Sequence, residues 1–151
     1  MLNLDRMMNE QNNVEQSQLI LDQILEETKA SGVYLVDRDG FLVAESGEID
    51  LDRVALSALS AASFGATAEI ARILGEHDFS RVTHLGQRQH LFMGKAGLRH
   101  ILIVVFGSET NLGLVKLYVE QTVEALADLL DSGNGVTPYP TGTDDEKPLT
   151  L

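Results

Sequence analysis

The chain contains no cysteine, which excludes disulfides, thiolate nucleophiles and cysteine-ligated metals together. It has no tryptophan, only 5% aromatic residues, and three prolines that all fall after Asp131. Basic residues are scarce as well: 11 Lys and Arg stand against 23 Asp and Glu, a formal charge of −12 at pH 7. Such a surface repels a phosphate backbone and an anionic bilayer, so nucleic acid is excluded as a partner and direct membrane insertion is not expected. The opening stretch, MLNLDRMMNEQNN, lacks the apolar core of a secretory signal. No uninterrupted apolar run reaches the roughly 18 residues of a membrane helix. These absences predict a cytoplasmic location. What is present, 151 residues of which 44% are hydrophobic, suits one compact domain.

Motifs that carry their own chemistry are also missing. There is no GxxxxGK[ST] loop, no GxSxG elbow, no HExxH pair and no GxGxxG turn after a strand. His77, His84, His90 and His100 are never spaced as paired metal ligands on a helix or a strand. Asp37 and Asp39 open a calcium-loop-like pattern, but the third acid and the distal glutamate do not follow, so turn chemistry accounts for them. The segments expected to be buried hold almost no carboxylates for an acid–base pair. The expectation is a protein with no catalytic residue, cofactor or metal of its own.

Residues 1–12 are polar and read as a flexible N-terminus, and residues 131–151 as a disordered acidic tail. Between them, residues 13–130 carry 9 basic and 17 acidic residues, a net −8, so acidity belongs to the folded unit too. Asn13 with Gln16 reads as a capping box opening helix one, over 14–31, which Gly32 would end. VYLVD and FLVAE, joined through Asp37-Arg38-Asp39-Gly40, read as a hairpin. Asp50 would cap helix two, over 51–75. Three strands follow: the polar 79–86 from Phe79, the mixed 91–95, and the continuously apolar HILIVVF of 100–106, which suits a strand covered on both faces. Helix three, 111–130, sets Leu112, Val115, Val119 and Leu126 on one stripe. Glu120, Glu124 and Asp128 lie on another as a solvated ridge. The prediction is an α+β domain, order αββαβββα, with a five-stranded antiparallel sheet flanked by helices on both faces.

Helix two asks for a function. From Val54 to Ala68 it carries no charge. At 100° per residue, Leu51, Ala55, Leu59, Ala62, Ala66, Ile70 and Ile73 share one side and are expected to pack on the sheet. Arg53, Ser57, Ser60, Ala61, Phe64, Thr67, Ala68 and Ala71 share the other. A large aromatic among small residues suits an interface anchor, so this side is expected to face a protein partner. Arg53 and Arg72 lie close to it; Arg72 has Glu69 as a ready partner. The polar strand at 79–86 reads as a sheet edge able to pair with its twin.

The element order, with LVDRDG (35–40), LGEHDF (74–79), THLG (83–86) and NLGLVKL (111–117), resembles the Roadblock family of dynein-light-chain-related proteins, and within it the bacterial MglB-type regulators. The likeness runs over about 14–130 and implies a Roadblock/profilin-like fold. It also implies a homodimer formed through strand three and helix two, which binds a Ras-like small GTPase of MglA type and accelerates its GTP hydrolysis. The regulator would reposition the switch regions, the catalytic groups coming from the GTPase. Carried onto this chain, the GTPase contact is the helix-two face around Phe64, with Arg53 and Arg72, and the dimer edge is Val82, Thr83, His84 and Leu85. The alternative is a Roadblock scaffold that binds a GTPase or signalling complex without changing its turnover.

Overall fold

The computed structural model describes residues 2–77 and 80–132. Three helices and five strands follow in the expected order: α1 (Leu2–Thr28), β1 (Gly32–Asp37), β2 (Leu42–Ser46), α2 (Arg53–Ile73), β3 (Arg81–Leu85), β4 (His90–Ala96), β5 (His100–Phe106) and α3 (Leu112–Ser132). The strands form one sheet in the order β2-β1-β5-β4-β3, and every neighbouring pair is antiparallel. The uniformly apolar β5 is the central strand, buried from Ile101 to Phe106, as its pattern predicts. Phe79, assigned to the start of the third strand, and the tail from residue 133 lie outside the described residues.

Strand alternation sorts the core into two layers. Val33, Leu35, Phe92, Leu102 and Val104 point to one face, where α1 supplies Leu21 and Ile24, and α3 supplies Val115, Val119 and Leu126. Tyr34, Val36, Met93, Ile101 and Ile103 point to the other, where α2 lies. Helices therefore cover both faces, two on one side and one on the other.

The hairpin turn behaves as its sequence predicts. Gly40 has φ 95°, and the Asp37 carboxylate accepts from the amides of Asp39 and Phe41, both at 3.0 Å. A Cβ on Gly40 would come within 3.0 Å of the Ala58 Cα, so the turn also rests closely on α2.

Helix one differs at both ends. It begins at Leu2, and Asn13 lies inside it. Leu, Met, Glu, Gln and Arg between residues 2 and 16 are good helix formers without a glycine or proline to interrupt them. Arg6 and Glu10 pair at i, i+4, 3.6 Å apart. The span read as a flexible N-terminus is thus helical from Leu2. The helix stops at Thr28, where Lys29 takes a left-handed φ of 61°, and Gly32 already belongs to β1. Helix three begins one residue later than expected, capped by Asn111, whose side chain accepts from the Leu114 amide at 2.9 Å, and it runs on through Asp131 to Ser132.

Candidate functional site: the outer face of α2 and the β3 edge

The cap of α2 is Asp52, two residues after the expected Asp50; its carboxylate accepts from the Ala55 amide at 3.0 Å. Gly75, with φ 83°, follows the last turn and ends the helix as predicted. By length and composition α2 is apolar enough to cross a bilayer, although no uninterrupted apolar run marks it out. In this fold one side of it lies in the second core.

The structure inverts the expected facing of α2. Ser57, Ser60, Ala61, Phe64 and Ala71, assigned to an outward face, are buried. Phe64 is 3% exposed and shares the second core with Tyr34, Val36, Met93, Ile101 and Ile103. Thr67 and Ala68 are half-buried; Arg53 and Arg72 are exposed. The opposite side, assigned to the sheet, is the one left open. Leu59 is 69% exposed, Ile70 49% and Ile73 83%, with Ala62, Gly65 and Ala66 exposed between them and Val54 and Leu74 at the ends. Leu51 and Ala55, from the same predicted side, are half-buried.

The physical reason is steric. Alanines and serines let α2 approach the sheet closely, and the single large ring fills the space that remains. The polarity of Ser57 costs little there, since its hydroxyl donates to the Arg53 carbonyl at 2.7 Å and is satisfied within its own helix. Leucine and isoleucine at 59, 70 and 73 are bulkier than that narrow contact accepts.

Both arginines have acidic partners. Arg53 Nη1 donates to both carboxylate oxygens of Glu45 on β2, at 2.9 and 3.0 Å, and Arg72 pairs with Glu69 one turn earlier. Beneath the Arg53–Glu45 pair, burial raises the Tyr34 phenol above its usual pKa, the Glu45 charge adds to the rise, and Arg53 opposes it.

The two edges of the sheet are treated differently. Along β2, Gln18 of α1 donates to the outward Glu45 carbonyl at 2.7 Å, and Ser46 donates to Asp22 of α1 at 2.7 Å. Helix α1 thereby ties down this edge at Glu45 and Ser46. At the other end of the sheet, β3 pairs only with β4 among the described residues. Val82 is half-buried in the second core, while Thr83, His84 and Leu85 are exposed. The predicted dimer-edge residues therefore do line an edge strand with an open side. Arg81, at its start, reaches back to Glu120 of α3, 3.3 Å away.

No group of three or more His, Asp or Glu side chains among the described residues could hold a metal ion. An apolar helix face and an edge strand with one open side have the character of docking surfaces. The sequence assigned the two halves of α2 in reverse because both sides are apolar enough to bury. Its one readable signal, the uncharged run from Val54 to Ala68, located the helix without orienting it.

The Roadblock/LC7 domain model matches residues 16–106. None of the curated proteins matches the chain in sequence. Among solved structures, an MglB with tetrameric arrangement is 32% identical, with TM-score 0.77, covering 80% of this chain and 92% of its own. The gliding protein MglB of Thermus thermophilus is also 32% identical, with TM-score 0.76 and the same coverage. The MglB of Myxococcus xanthus is 30% identical, with TM-score 0.72, over 76% of this chain and 94% of its own. With that domain match and those likenesses, the chain belongs to the Roadblock/LC7 family and is of its MglB type.

Proposed function

We propose that the protein is a cytoplasmic homodimeric regulator that binds a Ras-like small GTPase of MglA type and speeds its GTP hydrolysis by repositioning the switch regions. The observation that carries this reading is the exposed apolar side of α2, where Leu59, Ile70 and Ile73 project between small residues. A contiguous apolar helix face on an acidic protein calls for a polypeptide partner. Pairing of two β3 edges through Val82, Thr83, His84 and Leu85 would join two five-stranded sheets and bring both α2 helices to one side. Their outward faces would then form the platform for the GTPase, with the exposed Arg53 and Arg72 and the half-buried Thr67 and Ala68 at its borders. Phe64, Ser57, Ser60, Ala61 and Ala71 would shape that platform from beneath, as the seat on which α2 rests.

The regulator would contribute no catalytic group. Arg53 and Arg72 sit in exposed ion pairs with Glu45 and Glu69, and replacing either with alanine is expected to leave the acceleration largely intact. The test is phosphate release by the cognate GTPase with and without this protein. Acceleration of single-turnover hydrolysis by about tenfold or more is expected. Binding with an unchanged rate would replace the activator with a scaffold, and absence of binding would remove the GTPase partner altogether.

A further inference from the structure

The outer face of α2 has a charge pattern as well as an apolar one. From residue 45 to residue 76 the acids are Glu45, Glu48, Asp50, Asp52, Glu69 and Glu76, and the only bases are Arg53 and Arg72, a net −4. Both arginines are paired with acids of the same stretch, Arg53 with Glu45 and Arg72 with Glu69. At the start of the helix Asp52 is engaged in the cap, while Glu48 and Asp50 stand exposed in the segment before it. At the far end Glu76 is exposed just past Gly75. None of Glu48, Asp50 and Glu76 forms an ion pair among the described residues. The exposed apolar stretch from Leu59 to Ile73 is therefore rimmed by uncompensated carboxylates at both ends. Within it, Gly65 is exposed between Ala62 and Glu69, has no positive φ, and a Cβ added there would meet nothing within 4 Å. A glycine in mid-helix weakens the helix relative to alanine, and the packing of this chain does not call for one at that position.

Charge decides among the occupants this face could take. A second copy laid face to face, in either direction, would bring one acidic end against another. The chain's own run Asp144–Glu146 has the same sign, and so does an anionic bilayer. We propose that the occupant is a polypeptide surface with an apolar centre flanked by Lys and Arg. In the complex proposed above, on whose reading this inference rests, that surface belongs to the GTPase. Its apolar centre covers Leu59, Ile70 and Ile73, one of its side chains enters the gap left open at Gly65, and its cations meet Glu48, Asp50 and Glu76. The two parts act on different steps. Rim carboxylates draw the partner in and are screened by salt, so they set the association rate. The apolar contact and the gap hold the complex once formed, so they set dissociation.

The experiment mixes the full chain with the cognate MglA-type GTPase, loaded with a non-hydrolysable GTP analogue, and follows association and dissociation by stopped flow. The association rate is expected to fall about tenfold as salt rises from about 25 to about 400 mM. Glu48→Lys/Asp50→Lys/Glu76→Lys changes only exposed positions and should lower that rate about tenfold or more at low salt, with the thermal midpoint kept. Glu26→Lys/Glu124→Lys/Asp128→Lys makes the same change in net charge on α1 and α3, across the sheet, and should slow association far less. Gly65→Leu places its side chain in open space, so the fold is kept, while dissociation should quicken about tenfold or more. A salt-independent association rate, or a control triple as slow as the rim triple, would overturn the charged rim. Unchanged dissociation of Gly65→Leu would overturn the gap. Either result leaves the GTPase reading standing, whereas failure of the wild-type chain to form a complex would remove both.

Discussion

Phe64 and His100 mark where single side chains carry most consequence. The Phe64 ring is 3% exposed in the second core, so Phe64→Ala leaves a cavity under α2. Its expected cost is about 3–5 kcal/mol, read as a lower denaturant midpoint at an unchanged slope. A docking anchor would behave otherwise, losing partner binding while stability stayed put. His100 opens the central strand, and its Nδ1 is buried without a hydrogen-bond partner. Burial pushes its pKa below the usual value; the Asp37 and Asp131 carboxylates oppose the shift, and Arg99 adds to it. The unfolded chain therefore takes up the proton more readily than the folded one. Stability from the neutral imidazole is complete above about pH 6.5 and is lost as pH falls through the lower folded value. Unfolding free energies measured from pH 8 to pH 5 should show this loss, and His100→Gln should flatten it.

At the scale of the element, α2 separates what a helix needs to fold from what it offers. Its inner side is small, apart from Phe64, with the Ser57 hydroxyl bonded within the helix; its outer side holds the bulky apolar residues. Leu59→Asp with Ile70→Asp changes only exposed positions, so each should alter stability by less than about 0.5 kcal/mol. The pair is expected to abolish acceleration of GTP hydrolysis, measured as phosphate release, while the thermal transition stays within a few degrees. Element types were legible because they rest on local signals: the Asp37–Gly40 turn, the glycine after α2, the unbroken apolar β5. The start of α1 was not, since the plausible cap at Asn13 is outcompeted by helix formers on both sides of it. The facing of α2 was not legible either. Periodicity measures how apolar a side is, whereas packing selects how closely it can approach.

Across the whole molecule, edges and helix faces are unequally finished. Gln18 and Asp22 of α1 hold one edge of the sheet at Glu45 and Ser46, while at the other edge β3 pairs only with β4 among the described residues. An open edge strand invites pairing with another strand. Among the described residues, α1 and α3 cover one face and α2 the other, and the back of α2 is exposed. A charge of −12 opposes non-specific association through such a surface.

Residue pattern was enough for the kinds of element, their order, the antiparallel sheet with β5 in its interior, and the absence of recognisable catalytic motifs. Each of these depends on neighbours along the chain or on composition. The outward side of α2 and the anchoring of β2 at Glu45 and Ser46 were settled only when distant segments met. Two helix sides of similar hydrophobicity differ little until a sheet admits one and excludes the other. What an edge strand bonds to depends on residues 24 and 27 positions away along the chain, as Asp22 and Gln18 show at β2.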